Sequence, residues 1–156
     1  LHNLSAIVRI CSDNPFIDLD SIDELCTVYD NEDYLSYNIN NKPAILTHYG
    51  FFCEIVSLTA LRRVYEQNNN KCSEHVTNCI YSNPKNFNVK FLDKQIENNN
   101  VRCTLDTNAD FKNLKKIYFD FVKDNHQAGY KDIIEYLENN FELLKSMRKT
   151  IKENTK

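Results

Sequence analysis

Glycine is scarce in this sequence, and its scarcity argues against several kinds of binding site. Only Gly50 and Gly129 occur among 156 residues, together with three prolines and no tryptophan. Phosphate-binding loops and the turns that expose a nucleophilic serine need glycine, because the backbone there takes a positive φ or approaches a ligand closely. The composition therefore disfavours nucleotide-binding folds and serine hydrolases.

Strong charge and long apolar runs are also lacking. The net charge is −3, which argues against a surface built for nucleic acid. No run is long enough to span a membrane, and no signal-peptide core is present, so we expect no membrane contact. The hydrophobic fraction is 42%, and the length favours one globular domain.

Residues 12–41 hold eight acidic side chains and no lysine or arginine. Such a segment is typical of a solvated face or of a docking surface for a basic partner.

Six cysteines occur, mostly at apolar positions of periodic segments: Cys11, Cys26, Cys53, Cys72, Cys79 and Cys103. A buried free cysteine behaves as a small hydrophobe, and a chain of this length does not depend on disulfides. We therefore expect reduced thiols and an intracellular location. A secreted protein with disulfides is the alternative, and the glycosylation sequon at Asn3 favours it. The initial leucine indicates an excised domain or a mature fragment.

Apolar spacing predicts mostly helix in the first half of the chain. Residues 1–11 place apolar side chains at helical spacing, and residues 47–67 form the strongest helix of this half. Between them, a helix begins at a cap provided by Asp20 or Ser21. Residues 31–42 are interpreted as an exposed connection.

Helical spacing returns in the second half. A short helix is expected to begin at Ser73 and to end before Pro84, because proline disfavours helix in the residue that precedes it. A longer helix follows a cap at Asn108 or Asp110, and a last helix runs over residues 133–151.

The only strong β signal lies between residues 87 and 106. Apolar and polar side chains alternate over 87–91 and again over 101–105, with a polar connection between them. This pattern predicts a two-stranded hairpin with one buried face and a projecting loop. A lone hairpin is only marginally stable in water, so this one should lie on helices.

The order of these elements is that of a winged helix. Four segments resemble parts of the carboxy-terminal winged-helix domains of origin-recognition-complex and related silencing proteins. In chain order they resemble the opening helix, the strand with the second helix, the third helix, and the wing: "LHNLSAIVRIC", "IDLDSIDELCTVYD", "FFCEIVSLTALRRVY" and "NVKFLDKQIENNNVRCTLDTNADFKNLKKI". The resemblance implies a mainly α fold with a small β-hairpin. Residues 1–122 would form the winged-helix core, with a helical insert at 68–85, and residues 123–156 would add a C-terminal helical extension of the same domain.

The resemblance also implies a chromatin, silencing or replication setting, and with it a nuclear location. A DNA-binding winged helix places its third helix in the major groove and its wing on phosphates. Here both elements carry equal numbers of acidic and basic side chains, so protein contact is favoured over DNA binding. A DNA contact would use five cations: Arg62, Arg63, Lys90, Lys94 and Lys149.

We therefore expect a non-enzymatic module that self-associates, as a dimer, or assembles a complex. The expected interface is the apolar stripe of the last helix: Phe141, Leu144, Met147 and Ile151. The alternatives are a secreted helical parasite or viral protein that binds a host target, and a DNA-binding winged helix.

The sequence gives little support for a catalytic site or a metal site. Cys72, His75 and Cys79 lie on one face of the predicted short helix, and Cys103 could reach them. These four side chains are of types that bind zinc. Their spacing is not that of a standard zinc site, so no metal is expected. Cys72 and His75 form the only close thiol–imidazole pair, and nothing near them indicates a substrate cleft. We expect no catalytic residue, no cofactor and no small-molecule substrate.

Overall fold

A computed structural model describes residues 4–66 and 76–154. The strands are β1 (Ala6–Arg9), β2 (Tyr34–Ile39), β3 (Lys42–Pro43), β4 (Glu54–Ser57) and β5 (Val89–Lys94). The helices are α1 (Leu19–Val28), α2 (Leu58–Glu66), α3 (Asn78–Tyr81), α4 (Asn108–Asp120), α5 (Tyr130–Glu138) and α6 (Phe141–Glu153), with 3-10 turns at Ala44–Leu46 and Val122–Asp124.

The described strands form one mixed sheet around β2. Strand β5 runs parallel to β2 along its full length, from the pair Tyr34↔Val89 to the pair Ile39↔Lys94. The other edge of β2 pairs antiparallel with β4 at its start and with β3 at its end. Strand β4 also pairs antiparallel with β1, so the order across the sheet is β1, β4, β2, β5. Strands β1, β2 and β5 consequently point the same way.

Strand β1 replaces the helix predicted for residues 1–11. Its four residues pair with β4 from Ala6↔Ser57 to Arg9↔Glu54. Short apolar runs fit a helix or a strand equally well by periodicity, and the β-branched Ile7 and Val8 favour the strand. The helix prediction is wrong for residues 4–11, the described part of this segment.

Strand β2 corrects the prediction of an exposed connection over residues 31–42. Tyr34, Leu35, Ser36, Tyr37 and Ile39 are all buried. Their polar groups misled the prediction, yet each hydroxyl has a partner: Tyr34 donates to Glu54, Ser36 to the Cys53 carbonyl and Tyr37 to the Ser21 carbonyl. A polar side chain enters a core at little cost when it is hydrogen-bonded.

Strand β4 and helix α2 divide the segment predicted as one helix over residues 47–67. All four residues of β4 are buried, because the strand is interior and both of its faces are covered. Such strands have continuous apolar sequences rather than alternating ones, which makes them resemble buried helices. The helical part of the prediction holds only for Leu58–Glu66.

The predicted hairpin does not form. Strand β5 pairs with β2, and residues 101–105 are extended without being assigned to a strand. The backbone N–H groups of Cys103 and Leu105 instead donate to the carbonyls of His48 and Asp13. The predicted alternation of burial is also absent, since Arg102 and Thr104 are buried and Leu105 is exposed. Alternation in a sequence carries no information about which strand is the partner.

Several helices agree with the predictions apart from their ends. Helix α1 is capped by Asp18 rather than by Asp20 or Ser21, and α4 is capped by Thr107, with Asp110 completing the capping box. The last predicted helix is two helices, α5 and α6, separated by Asn139 and Asn140. The short helix α3 ends at Tyr81, before Pro84 as expected, whereas its predicted cap at Ser73 lies outside the described residues.

Two apolar clusters lie on the two faces of the sheet. The larger one combines strand residues such as Leu35 and Ile55 with residues of α1, α4, α5 and α6. The smaller one packs Tyr34, Val56 and Phe87 against α2 and α3. The described chain is therefore a three-layer α/β fold, and the predicted mainly α winged-helix fold is wrong. The domain boundary predicted at residue 122 stays a prediction.

Candidate functional site

A small cleft lies at the carboxyl end of β1. Its lining residues come from β1, the loop after it, the segment before β4, β4 itself and the extended segment 101–105: Arg9, Cys11, Asp13, Asn14, Ala44, Ile45, Thr47, Gly50, Phe52, Glu54 and Thr104. Ligands of open α/β sheets bind outside the carboxyl ends of the strands, because the loops there converge and the helices begin there. The position of this cleft therefore agrees with the fold.

An ion pair forms one wall of the cleft. Arg9 and Glu54 are register partners on β1 and β4, and the Arg9 guanidinium bonds the Glu54 carboxylate. Glu54 is 3% exposed, and its second oxygen accepts a hydrogen bond from the Tyr34 hydroxyl. Burial and the Glu54 charge raise the pKa of Tyr34 above its ordinary value, so this phenol stays a donor. Burial disfavours the Arg9 charge, but Glu54 outweighs it and raises the pKa of Arg9.

Gly50 allows two chain segments to approach each other at the cleft. Its φ is +68°, and a Cβ built on it would lie 2.5 Å from the Cys103 carbonyl oxygen. The neighbouring His48 carbonyl accepts a hydrogen bond of 2.9 Å from the Cys103 N–H. On the other side, the Leu105 N–H donates to the Asp13 carbonyl at 2.8 Å. Residues 103–105 are thereby held between the loop after β1 and the segment before β4.

A buried arginine anchors the far side of the site. The Arg102 side chain is fully buried, and its Nε lies 2.8 Å from Asp110 Oδ1. Its Nη2 donates to Asp106 Oδ2 at 2.7 Å, and its Nη1 lies 2.7 Å from the Nδ1 atom of His48. Thr104 also donates to Asp106 Oδ2, at 3.0 Å. Two side chains therefore fix the orientation of the Asp106 carboxylate.

Asp110 joins this cluster to the start of α4. Its Oδ2 accepts from the backbone N–H groups of Asp106 and Thr107, and the Thr107 hydroxyl accepts from the Asp110 N–H. Burial disfavours ionisation of Asp110, but hydrogen bonds from Arg102 and from the backbone hold its pKa below the usual range. Asp110 is therefore ionised near neutral pH, and the cluster fixes Asp106 just ahead of a helix N-terminus.

The arrangement places two carboxylate-bearing residues on adjoining segments. Asp13 follows β1, Asp106 precedes α4, and the Leu105–Asp13 hydrogen bond joins their segments. No group of three or more potential metal ligands occurs within residues 4–66 and 76–154. This excludes from the described chain a metal cage built only from protein ligands. Asp13 and Asp106 supply two carboxylates, and Mg²⁺ is usually bound through one or two protein carboxylates together with waters and substrate phosphates.

A second, more open cleft lies between the end of α4 and α5. It is lined by Phe121, Asn125, His126, Gln127, Ala128, Asp132, Glu135, Tyr136 and Asn139. Its Asp132 accepts a hydrogen bond from the Gly129 N–H, which serves the start of α5. No arginine or lysine lines this cleft, so the cleft at β1 is the better candidate for an anionic ligand.

The five cations predicted for a DNA contact are distributed over α2, β5 and α6. Arg63 pairs with Asp33 and lies over the Phe87 ring, and Arg62 is exposed on α2. Lys90 pairs with Glu32, Lys94 with Glu24 and Lys149 with Glu153. Four of these cations thus have an acidic partner in the chain. A contact between any of them and nucleic acid stays a prediction.

The predicted interface residues on α6 occupy different environments. Phe141 is 73% exposed, whereas Met147 is fully buried in the larger cluster. Leu144 and Ile151 are half-buried. Most of the predicted stripe therefore packs inside the chain, and a role for it in binding a partner stays a prediction.

The four weak candidates for a metal site do not form a described cluster. Cys72 and His75 lie outside the described residues. Cys79 is disulfide-bonded, contrary to the reduced thiols expected from the sequence, so it carries no thiolate for a metal. Cys11, Cys26, Cys53 and Cys103 are free, as expected. Cys103 is buried, and burial raises the pKa of its thiol.

Sequence reasoning missed the residues of the cleft. Asp13, Glu54 and Asp106 were not predicted as site residues, and Arg9 and Arg102 were not either. A signal was present in Asp13 and Asp106, since each follows an apolar extended run. In α/β proteins an acidic residue after a strand points to the ligand-binding edge of the sheet.

Similarity to known proteins supports the α/β fold. No protein-family model matches the chain. The chain is 33% identical to the uncharacterized protein MJ1063 of Methanocaldococcus jannaschii over 86% of this chain and 54% of that protein. It is 28% identical to the spore coat polysaccharide biosynthesis protein SpsF of Bacillus subtilis over 73% of this chain and 47% of that protein. The chain thus spans about half the length of the curated relatives it matches.

A solved structure shares the fold. The chain superposes on a cytidylyltransferase from Leptospira borgpetersenii with a TM-score of 0.71 and 22% identity, over 91% of this chain and 59% of that one. This likeness overturns the resemblance to winged-helix domains of origin-recognition and silencing proteins.

The functional predictions are wrong as well. They comprise the chromatin, silencing or replication module, its host-binding and DNA-binding alternatives, the absence of enzymatic activity and the absence of a small-molecule substrate. No described helix is both long and apolar enough to cross a bilayer. The intracellular location and the secreted alternative stay predictions.

Proposed function

We propose that this chain is part of a nucleotidyltransferase of the cytidylyltransferase type, which activates a sugar-derived acceptor. The observation that carries the proposal is the superposition on a cytidylyltransferase over 91% of the chain. The small cleft at the carboxyl end of β1 and the carboxylates of Asp13 and Asp106 on adjoining segments also support the proposal, because they could hold a metal ion and a phosphate group. The similarity to a polysaccharide biosynthesis protein favours a sugar-derived acceptor.

The proposed reaction is a substitution at phosphorus. An oxygen of the acceptor attacks the α-phosphorus of a nucleoside triphosphate, and the bond from that phosphorus to the bridging oxygen of the β-phosphate breaks. Pyrophosphate leaves, and the acceptor releases its proton to solvent. Catalysis of such a transfer is mostly positioning and neutralisation of negative charge, so the site must supply cationic groups around the phosphates.

The residues of the cleft and of the adjoining segment 102–106 suit this task. Asp13 and Asp106 would hold a magnesium ion, which would neutralise phosphate charge and orient the triphosphate. Arg102 and Thr104 keep the Asp106 carboxylate in one orientation. Arg9 presents a partly exposed guanidinium at the mouth of the cleft, where it can bond a phosphate oxygen.

The scarcity of glycine is compatible with the proposal. It argues against a glycine-rich phosphate loop within these 156 residues. The relatives, however, are about twice as long as the matched region. The proposed activity therefore belongs to a longer assembly in which this chain supplies the carboxylates and Arg9.

The test uses a chimera in which residues 4–154 of this chain replace the matched region of the Methanocaldococcus jannaschii protein. Pyrophosphate release is measured with Mg²⁺, each of the four ribonucleoside triphosphates and a panel of sugar phosphates and sugar acids. We expect release that requires both an acceptor and a triphosphate, with CTP preferred. Asp13→Asn and Asp106→Asn should each lower the rate by about 100-fold or more, because each removes charge that holds the metal and the triphosphate.

Asp120→Asn provides the matched control. Asp120 is also an aspartate, but it lies on the exposed side of α4 in a pair with Lys116, away from the cleft. The control should keep the rate of the unchanged chimera. Acceptor-dependent release that survives both cleft substitutions would place the reaction elsewhere, and the absence of release with every acceptor would count against the proposal.

A further inference from the structure

The outer face of helix α4 combines aromatic and basic side chains. Phe111, Tyr118 and Phe119 are 54%, 45% and 53% exposed, although aromatic rings usually contribute to a core. Residues three, four or seven positions apart share one face of a helix, and this spacing joins the three rings to Lys112 and Lys115. The opposite face of α4 packs into the larger cluster, so these side chains point toward solvent.

Helix α6 continues this surface. Phe141 is 73% exposed, and Lys145, Arg148 and Lys152 follow it at helical spacing. Helix α6 packs against α4, and both helices bury their apolar faces in the larger cluster, so their outer faces border each other. We refer to the exposed side chains of residues 111–119 and 141–152 as the aromatic–basic face.

Cations outnumber acidic side chains on these two helices, although the net charge of the whole chain is −3. Helices α4 and α6 together hold seven cations and four acidic residues. Three of the acidic residues have a cationic partner inside the chain: Asp110 with Arg102, Asp120 with Lys116 and Glu153 with Lys149. Four exposed cations form no ion pair within residues 4–66 and 76–154: Lys112, Lys115, Lys145 and Arg148. These four can therefore bind an external anionic surface.

The combination of rings and cations fits the surface of an anionic lipid bilayer. Aromatic rings favour the boundary between water and lipid tails, and lysine and arginine are attracted to anionic headgroups. A protein partner fits less well, because lysine is depleted in protein–protein interfaces and six of the seven cations are lysines. The expectation of no membrane contact rested on the absence of a spanning run, and a helix that lies on a bilayer needs none.

We propose that the aromatic–basic face of α4 and α6 binds the surface of an anionic lipid bilayer. The exposed rings of Phe111, Tyr118, Phe119 and Phe141 enter the headgroup region, and the lysines contact lipid phosphates. Helix α4 begins directly after Thr107, and its 13 residues extend about 20 Å. The bound bilayer therefore lies within about that distance of the candidate cleft.

Vesicle sedimentation tests the proposal without any nucleotide. The 156-residue chain and the chimera described above are each mixed with vesicles of phosphatidylcholine alone and with vesicles of equal parts phosphatidylcholine and phosphatidylglycerol. We expect both proteins to bind the anionic vesicles at least about 30-fold more tightly than the neutral ones, because several cations face the lipid. Added salt should reduce this difference, since it screens the exposed charges.

A pair of tyrosine substitutions tests the contribution of the rings. Tyr118→Ser should lower the vesicle partition coefficient by about fivefold or more, because a ring no longer enters the lipid boundary. Tyr65→Ser is the matched control. Tyr65 is 86% exposed on α2, which packs against the other face of the sheet, so this variant should bind like the unchanged chain.

A pair of double substitutions tests the contribution of the cations. Lys112→Gln with Lys115→Gln should lower the partition coefficient for anionic vesicles by about 30-fold, since each lysine at such a surface contributes about fivefold. Lys42→Gln with Lys85→Gln removes the same charge from exposed positions outside α4 and α6, and should lower it less than about twofold. All of these positions are exposed, and if a variant still unfolds, the unchanged chain on the two kinds of vesicle decides.

Three results would overturn the proposal. One is equal binding to neutral and anionic vesicles, or binding to neither. Another is binding by the 156-residue chain but not by the chimera, which would show that the rest of the longer protein covers the aromatic–basic face. The third is tighter binding to a short DNA duplex than to anionic vesicles, which would assign the cations to nucleic acid. A failure of the pyrophosphate assay leaves each of these measurements unaffected.

Discussion

Arg9 lines the candidate cleft and Arg102 lies two residues before the lining residue Thr104, and the two arginines occupy opposite environments. The Arg9 side chain is 32% exposed and pairs with Glu54, whereas the Arg102 side chain is 0% exposed and pairs with Asp110, itself 1% exposed. Water and ligands can reach Arg9. Arg102 is enclosed, and its guanidinium contacts Asp106, Asp110 and His48.

The difference separates a structural arginine from one that can bind a ligand. An enclosed charge must keep all of its partners, because removing one leaves the others buried without compensation. A partly exposed charge can change partners at lower cost, since water compensates it. We therefore assign Arg102 to the framework that orients Asp106, and Arg9 to the surface that meets a phosphate.

The largest effect should come from Arg102→Met. It leaves Asp106 and Asp110 without their cation, and we expect the free energy of unfolding to fall by about 3–5 kcal/mol. Urea unfolding followed by circular dichroism measures the change. Arg148→Met is the matched control, because Arg148 is exposed on α6. A loss no larger than the control's would show that the buried cluster contributes little.

Gly50→Ala tests the close contact between the segment before β4 and residues 103–105. The φ of +68° and the 2.5 Å approach of the Cys103 carbonyl both oppose a Cβ. We expect a loss of about 2–3 kcal/mol in the free energy of unfolding.

Gly129→Ala is the control for this substitution. Gly129 has no positive φ, and its Cβ would meet the Asp18 carboxylate at 3.0 Å, where a side chain can shift. The Gly129 variant should lose less stability than the Gly50 variant, and the reverse order would contradict the account.

Arg9→Met should separate stability from function. Glu54 is 3% exposed and loses its cation but keeps its hydrogen bond from Tyr34. We expect a stability loss of about 2–3 kcal/mol, less than for Arg102→Met, which leaves two carboxylates without their cation. The rate of pyrophosphate release by the chimera should fall by at least about tenfold, because a phosphate contact is lost. A variant as unstable as Arg102→Met, or one with an unchanged rate, would remove the contrast between the two arginines.

Acid should weaken the enclosed cluster. The pKa of Asp110 lies below its ordinary value of 3.8 in the folded chain, so the unfolded chain takes up the proton first as the pH falls. The stabilisation is therefore complete above the ordinary value and is lost below it. Asp110→Asn should show a smaller difference in melting temperature between pH 7 and pH 3 than the unchanged chain. An equal difference would show that other carboxylates, such as Glu24 and Glu32, determine the acid sensitivity.

The sequence predicted the outer helices better than the sheet. Helices α1, α4 and α6 have one apolar face and one solvated face, so their spacing is visible without tertiary information. Strands β2 and β4 are covered on both faces, and their buried tyrosines, serines and glutamate look exposed in sequence. Only the three-dimensional partners of these polar groups explain their burial.

The candidate site was harder to predict than the fold. The cleft joins Arg9 and Asp13 to Gly50 and Thr104, which are far apart in the chain. Local periodicity carries no information about such contacts. The scarcity of glycine argued against nucleotide binding. That argument covers only a phosphate loop within these 156 residues, whereas the proposed site belongs to a longer assembly.

The most direct test locates a metal–nucleotide complex on the protein. Mn²⁺ with CTP is titrated into the ¹⁵N-labelled chain, and the paramagnetic broadening of each backbone amide is measured by NMR. The account predicts broadening centred on residues 11–14 and 104–107, and its loss with Asp13→Asn. Broadening centred on the acidic residues 18–33, or on α6, would contradict the account, because the carboxylates at the end of β1 would then not be the binding site.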